Sequence, residues 1–480
     1  MLDMGLNSFD FAIIGIYLVG ITLFGMRFRK RHRTLRDYFL AGRDIPWWAI
    51  TLSIVAAETS TLTVISMPGL AYSTDMTFLQ VAMGYICGRF IISFLLLPHY
   101  FRGELFTAYE LIERRFGKRL RTVTSGLFLL TRAAAEGVRV YAVSIVVSIA
   151  LGTGEVASVA IITALTLIYT FEGGLAAVIW TDVVQTVIYV GGTIVGVGVI
   201  LHLVPGGWSH IHQIAAASGK LRVFDFTPTF WKPYTFWAGL IGGTCFTIAS
   251  HGTDQLIVQR LLAARNQRQS ALALVLSGIT IFFLFALFLL LGLMLFAYYL
   301  LPTSHFGTGD RIYPTFIVTR MPHGISGLLI AAILAAAMSN LSAALSALSS
   351  SSILDLYLRF RPQIDERRRM TLSRLTTVVW AAVLLVIAVL LCLHPAGRVI
   401  ELGLQIASVS YGALLGVFLL GVLTRHATQN GAIPGMLCGF ATEIYLWQFT
   451  RVPWTWWVAI GSVVTFIVGY AASGLSRARD

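Results

Sequence analysis

Two short polar runs interrupt otherwise apolar sequence. Glu58-Thr59-Ser60-Thr61 lies inside WWAITLSIVAAETSTLTVISMPGLAY (47–72), and Ser250-His251-Gly252-Thr253-Asp254-Gln255 lies inside FWAGLIGGTCFTIASHGTDQLIVQRLL (236–262). Unwound backbone at such places offers carbonyls to a cation and amides to a polar solute. Irregular backbone at membrane depth is tolerated only where it lines a cavity or is buried in protein. The bland alternative is a pair of kinked helices packed by polar side chains. A third stretch, AAILAAAMSNLSAALSALSSSSILDLY (331–357), carries Ser339, Ser342, Ser346 and Ser349. Spacings of three, four and three place these hydroxyls on one helical face. Such a face serves either close helix packing or a small hard cation, which takes oxygen ligands.

Ionisable groups inside apolar segments are costly and mark function by default. Asp182 sits in GGLAAVIWTDVVQTVIY (173–189). It reads as a cation ligand, a structural cap, or the partner of a loop arginine. Glu58 reads as a ligand, a coupling or proton site, or half of a buried ion pair, and the spacing does not choose. Arg132 and Arg139 share a face with Glu136 between them. One arginine is expected to pair with Glu136, leaving the other to hold an anion, since arginine suits bidentate carboxylate recognition. His251, Gln80 and Gln405 are polar, mid-segment and able to hydrogen-bond a solute.

The elements that must position these groups follow from composition. The chain has 480 residues, of which 57% are hydrophobic and 12% charged, with a mean hydropathy of +0.79. A soluble chain is roughly a quarter charged, and a disordered one has low hydrophobicity. The composition therefore predicts an all-α polytopic membrane protein. Thirteen stretches are long and apolar enough to be spans: 9–26, 46–72, 77–99, 122–151, 156–171, 175–204, 235–258, 270–301, 325–356, 372–393, 400–423, 430–449 and 453–474. Loops on one side hold 25 of the 35 lysines and arginines, the other side holds seven, and Arg89, Arg132 and Arg139 lie within spans. That asymmetry places the N-terminus outside and the C-terminus in the cytoplasm. The net charge of +13 is thus a topology signal, and no nucleic-acid partner is expected. The first span follows acidic rather than basic residues, so it reads as a true span and not a cleaved leader. The outer stretch 205–234, with Trp208, Phe224, Phe226, Phe230 and Trp231, reads as a lid or a headgroup belt, and 103–121 as a short amphipathic surface helix. Cys87, Cys245, Cys392 and Cys438 read as buried, inert thiols.

Several motifs together resemble the sodium:solute symporter family. GGLAAVIWTDVVQ (173–185) resembles its first signature and GTDQLIVQRLLAAR (252–265) its second. VFLLGVLTRHATQNGAIPG (417–435), AAAMSNLSA (335–343) and the arm DYFLAGRDIPWW (37–48) resemble its late-helix motif, its sodium-site helix and its N-terminal arm. The resemblance implies one membrane transport domain over 1–480. Residues 1–45 would form the first helix and cytoplasmic loop, 46–428 a LeuT-like five-plus-five inverted-repeat core, and 429–480 two further helices. It implies a sodium site on the carbonyls of Ala56, Thr59 and Ala336 with Ser339 and Asn340, where Asn340 replaces the usual hydroxyl. A second sodium site would use Asp182, Ser339 and Ser342, but Ala343 stands where its last hydroxyl would be, which favours one sodium. The solute cavity would fall on Ser60, Thr63, Gln80, Arg132, Arg139, Phe246, His251 and Gln405. Family members that carry sialic acid place an arginine in the fourth span, whereas sugar carriers use acidic, amide and lysine groups.

The expectation is a sodium-coupled importer of a small organic anion in the inner membrane, with sodium as its only metal and no other cofactor. A sugar or polyol carrier, a proton-coupled variant using Glu58, and a non-transporting sensor are the alternatives. No metal-ligand cluster, GxSxG or paired carboxylates point to an enzyme.

Overall fold

The computed structural model describes residues 5–27, 41–102, 108–169, 175–300, 309–357, 365–394 and 397–477. Parts of the first signature (173–174) and of the N-terminal arm (37–40) lie outside them. The described chain is helical. Apolar runs without ladder partners can satisfy their backbone inside a bilayer only by coiling on themselves.

The helices follow the apolar runs in order. They are α1 (Ser8–Met26), α2 (Trp47–Glu58), α3 (Thr61–Ser73), α4 (Leu79–Leu95), α5 (Ala108–Phe116), α6 (Lys118–Leu151), α7 (Glu155–Tyr169), α8 (Leu175–Leu203) and α9 (Gly207–Ala217). There follow α10 (Gly243–Gly252), α11 (Gln255–Leu262), α12 (Gln267–Tyr299), α13 (Ile312–Arg320), α14 (Ile325–Ser350), α15 (Glu366–Leu393), α16 (Val399–Leu423), α17 (Gln429–Phe449) and α18 (Trp454–Arg477). Each of the thirteen apolar intervals contains helix. By length and hydropathy, eight helices among the described residues qualify as spans, or nine when α2 and α3 count as one bent span. Apolar side chains such as Phe94, Phe283, Leu375 and Ile467 stand exposed around the outside, as lipid contact requires.

Both polar runs break their helices. α2 and α3 meet at an angle of 63°. α10 and α11 are separated at Thr253-Asp254, where Asp254 is extended and caps α11 by accepting from the Leu256 amide at 2.9 Å. The short surface helix begins at Ala108 and is cut from α6 by Gly117, whose φ of +93° suits glycine.

Close packing fixes which helices move together. α4 meshes with α10 through Gly88, where an added Cβ would stand 2.8 Å from the Thr244 carbonyl oxygen and from the Thr247 side chain. The α16–α18 unit closes around Glu443, a residue the sequence reading did not single out. Its side chain is fully buried, Oε1 accepts from the Gly412 amide at 2.9 Å, and Oε2 has no partner among the described residues. The thiols differ from expectation: Cys87 and Cys438 are exposed and Cys245 and Cys392 half-buried. Their helices turn those faces away from the core.

At the end of the bundle that charge assigns to the outside, the segment after α9 is pinned down. The Lys220 ammonium donates to the carbonyls of Tyr72 and Thr74, both at 2.7 Å, and lies 4.2 Å from the Phe296 ring centroid. It thereby supplies the positive charge that the C-terminus of α3 favours. Burial pushes its ammonium below the ordinary lysine range, against the pull of Asp75. The aromatics Trp208 of α9 and Phe224, Phe226, Phe230 and Trp231 after it are exposed, with Phe224 stacked on Phe226 at 5.7 Å.

Candidate functional site

The first helix break leaves backbone oxygen uncommitted. Thr59 leaves the helix at φ −84°, ψ 56°, and Ser60 is extended. Its amide would close on the Ala56 carbonyl in a continuous helix. The Glu58 carbonyl is instead taken by the Thr63 hydroxyl at 2.9 Å. The Thr59 hydroxyl is buried without a partner among the described residues. Thr61 donates to the Ile333 carbonyl at 3.2 Å and holds the break against α14. On α14, Ser339, Asn340 and Ser342 are half-buried and make no side-chain hydrogen bond among the described residues. Ser349 is spent on the Ser373 carbonyl at 2.7 Å, and Ser346 is exposed. The serine face is therefore divided: its first half carries unengaged hydroxyls, and its last residue packs α15.

A solvent-open cavity of about 340 Å³ lies between this break, α6, α7 and α14, and Ser60, Glu136, Arg139 and Asn340 line it. Residues proposed separately for cation and solute thus meet in one place. Both arginines, rather than one, reach Glu136: Arg132 at 2.8 Å and Arg139 at 2.6 Å, on the same Oε1. The two turns of α6 make this unavoidable, because Glu136 sits i+4 from one and i−3 from the other. The two cations share this carboxylate beside the cavity, and Asp254 also acts on Arg132; Arg139 is about a third exposed and Arg132 mostly covered.

The second break lies behind a stack of rings. Phe246 is 6.0 Å from Tyr85 and 5.4 Å from Tyr411, and Tyr411 in turn donates to Asp254 at 3.3 Å.

The family's model matches residues 38–439. The chain belongs to the sodium:solute symporter family. Its similar relatives include a sodium/sialic acid symporter of Proteus mirabilis, 30% identical over 475 residues, with 97% of this chain and 95% of the relative covered. A sodium/sialic acid symporter of Aliivibrio fischeri is 29% identical, with 98% and 94% covered. A solved Na+-coupled sialic acid symporter, substrate-bound and outward-open, matches with a TM-score of 0.84 at 29% identity, covering 98% of each chain.

Within this symporter fold, several expected site residues are engaged elsewhere. Glu58 has a partner that the sequence did not reveal, Arg89 of α4. Of the roles left open for Glu58, the structure has half of a buried ion pair. The Arg89 Nη2 also lies 2.9 Å from His251 Nε2. Arginine only donates, so that ring nitrogen accepts, and Nδ1–H donates to the Ser250 hydroxyl at 2.8 Å. Gln80 is fully buried and staples the outer segment. Its amide donates to the Tyr234 carbonyl at 3.0 Å and its oxygen accepts from the Asp225 amide at 3.0 Å. Gln405 on α16 is half-buried and its side chain makes no hydrogen bond among the described residues.

Asp182 pairs with Arg260 of α11 at 3.1 Å, and its same Oδ2 accepts from Ser53 of α2 at 2.6 Å. This ties α2, α8 and α11 at the end assigned to the cytoplasm. Its neighbours Thr181 and Gln185 line a cavity of about 300 Å³ with Ala335 and Met338 of α14. Both charges of the pair are more than nine-tenths covered. Removing one partner from a buried pair costs about 3–5 kcal/mol. Asp182→Ala is therefore expected to lower the melting point of the purified protein markedly, and Asp182→Asn combined with Arg260→Gln to recover part of the loss. A single variant as stable as the native protein would show that the pair holds nothing together.

Proposed function

We propose that this chain imports a small organic anion, of the sialic acid or carboxylate class, together with sodium. The observation that carries the reading is the cavity shared by Ser60, Arg139 and Asn340. Sodium is the coupling ion. It would take the freed Ala56 carbonyl, the carbonyls of Thr59 and Ala336, Ser339 and Asn340, and the Ser339 side chain, which makes no hydrogen bond among the described residues, fits that role. Asp182 with Ser339 and Ser342 remains the candidate second site. The engagement of Asp182 Oδ2 by Arg260 and Ser53 favours one sodium. The solute carboxylate would meet Arg139, with Arg132 behind it, and Ser60 and Thr63 beside it. Phe246 would form the wall, and Gln80, His251 and Gln405 complete the proposed lining. The half-buried, unbonded Gln405 also supports the second reading, a sugar or polyol.

The scaffold is a ten-helix inverted-repeat core in a thirteen-span inner-membrane protein, N-terminus outside and C-terminus cytoplasmic. Exchange of access then has two sets of fastenings. At the cytoplasmic end they are Asp182, Arg260 and Ser53. At the outer end the Tyr234 hydroxyl donates to Glu401 of α16 at 2.6 Å, and Lys220 holds the end of α3. Release of one set while the other holds opens one side at a time. Each ligand that prefers one state helps the other bind, and the effect is reciprocal.

The test is thermal unfolding of the purified protein with sialic acids, carboxylates, amino acids and sugars, each in sodium and in potassium. A ligand of the native state raises the midpoint by mass action. The expected result is stabilisation by N-acetylneuraminate or another carboxylate in sodium only. Stabilisation by a sugar alone transfers the reading to Gln405, and stabilisation indifferent to sodium sinks the coupling.

A further inference from the structure

We propose that Arg89 is the positioning residue through which the two interrupted helices act as one. It joins Glu58, the last residue of α2, to His251, next to last in α10, and so makes sodium binding at the first break and solute binding beside the second depend on each other. The proposal rests on the transport reading above.

Arg89 is fully buried, among the largest side chains so enclosed. Its Nη2 serves Glu58 and His251 together and so holds them within 3.4 Å of each other, while Nε and Nη1 have no partner among the described residues. A guanidinium placed for stability alone would be expected to satisfy most of its five donors, because unmade hydrogen bonds to a buried charge are costly. Here one nitrogen is shared between the two partners at the breaks, and the rest of the group lies against Gly278 of α12. An added Cβ there would stand 2.8 Å from Arg89 Cδ. The glycine makes the room that lets the side chain reach both partners.

The second break is already fixed to the α4 side. α4 meshes with α10 at Gly88, and the Tyr100 hydroxyl, a turn beyond α4, donates to the Gly252 carbonyl at 2.6 Å. Glu58 is thereby attached to a body that carries the second break. Immediately beyond Glu58 are Thr59 and Ser60, whose backbone and hydroxyls form the proposed cation site and the cavity wall. A displacement of α10 by solute is transmitted to that site through the Glu58 carboxylate. The neighbouring charged and titratable groups are Asp254 at the second break, Tyr411 of α16 and Tyr85 of α4.

The test measures sodium affinity of the full-length protein from thermal midpoints, with and without saturating N-acetylneuraminate. In the native protein the solute is expected to tighten sodium binding at least about fivefold, the lower edge of ordinary coupling. In Arg89→Gln, sodium alone should bind within about threefold of native, and the solute should change that affinity less than about twofold. Arg89→Met with Glu58→Gln removes both charges, leaves no unpaired one, and should lose the coupling in the same way. It decides the matter if the single variant does not fold. Native coupling in either folded variant, with only the midpoint lowered, reduces Arg89 to a structural pair and overturns the inference alone. A native protein whose sodium affinity ignores the solute overturns the transport reading and this inference together.

Discussion

Ser339→Ala is expected to raise the sodium concentration for half-maximal uptake at least about tenfold, with little change in protein level. The hydroxyl is half-buried on α14, next to Asn340 of the cavity wall, and makes no hydrogen bond among the described residues. Removing it therefore leaves no protein group unsatisfied, and folding should hardly register the change. The proposed cation loses one of few oxygen ligands, and about 1.4 kcal/mol of lost binding is tenfold. Sodium-dependent uptake in vesicles, across a sodium series at constant ionic strength, measures it. Unchanged sodium activation, or a loss fully explained by less protein in the membrane, removes Ser339 from the site. Ser349→Ala is the internal contrast. Its hydroxyl bonds the Ser373 carbonyl, so it should alter stability and leave sodium activation alone.

Arg139→Gln is expected to raise the KM for an anionic solute by about 10- to 100-fold, the worth of a charge-assisted hydrogen bond. Arg132 shares Glu136 with Arg139 and also lies in the field of Asp254. Arg139 is the more accessible of the two cations and so the one placed to meet an anion in the cavity. Glutamine is shorter than arginine but keeps an amide donor, and it removes the guanidinium charge. Competition assays with carboxylates and neutral sugars measure the effect. If neutral solutes lose as much as anions, Arg139 shapes the cavity without reading charge.

Much of the fold was legible because the bilayer imposes it. Apolar length sets the helices, and polar runs inside them have few places to go, so both breaks were visible at Glu58–Thr61 and Ser250–Gln255. Contacts within one helix were legible for the same reason: Arg132, Glu136 and Arg139 meet because of α-helical spacing. Contacts between helices were not. Arg89 stands 31 residues from Glu58 and 162 from His251, and no periodicity connects them. Gln80 reads as a solute ligand because a mid-span amide has the right chemistry. The contacts it makes here, to Tyr234 and Asp225, lie in a loop whose path has no sequence signal. Glu443 escaped notice because a lone acid near the chain end carries no pattern. Only the glycines of α16 and α18 that close around it explain how it fits.

The Lys220 clamp also makes the molecule its own chemical marker. Of the four lysines in the chain, two sit at the end assigned to the outside. Lys220 is 7% exposed with its nitrogen among carbonyls, whereas the Lys232 side chain is 54% exposed. An impermeant acylating reagent applied to that face therefore meets one exposed lysine, paired with Asp225, and one shielded lysine. The ratio of the two adducts reads out how often the end of α3 is released, with Lys232 correcting for reagent and yield, and no foreign label is needed.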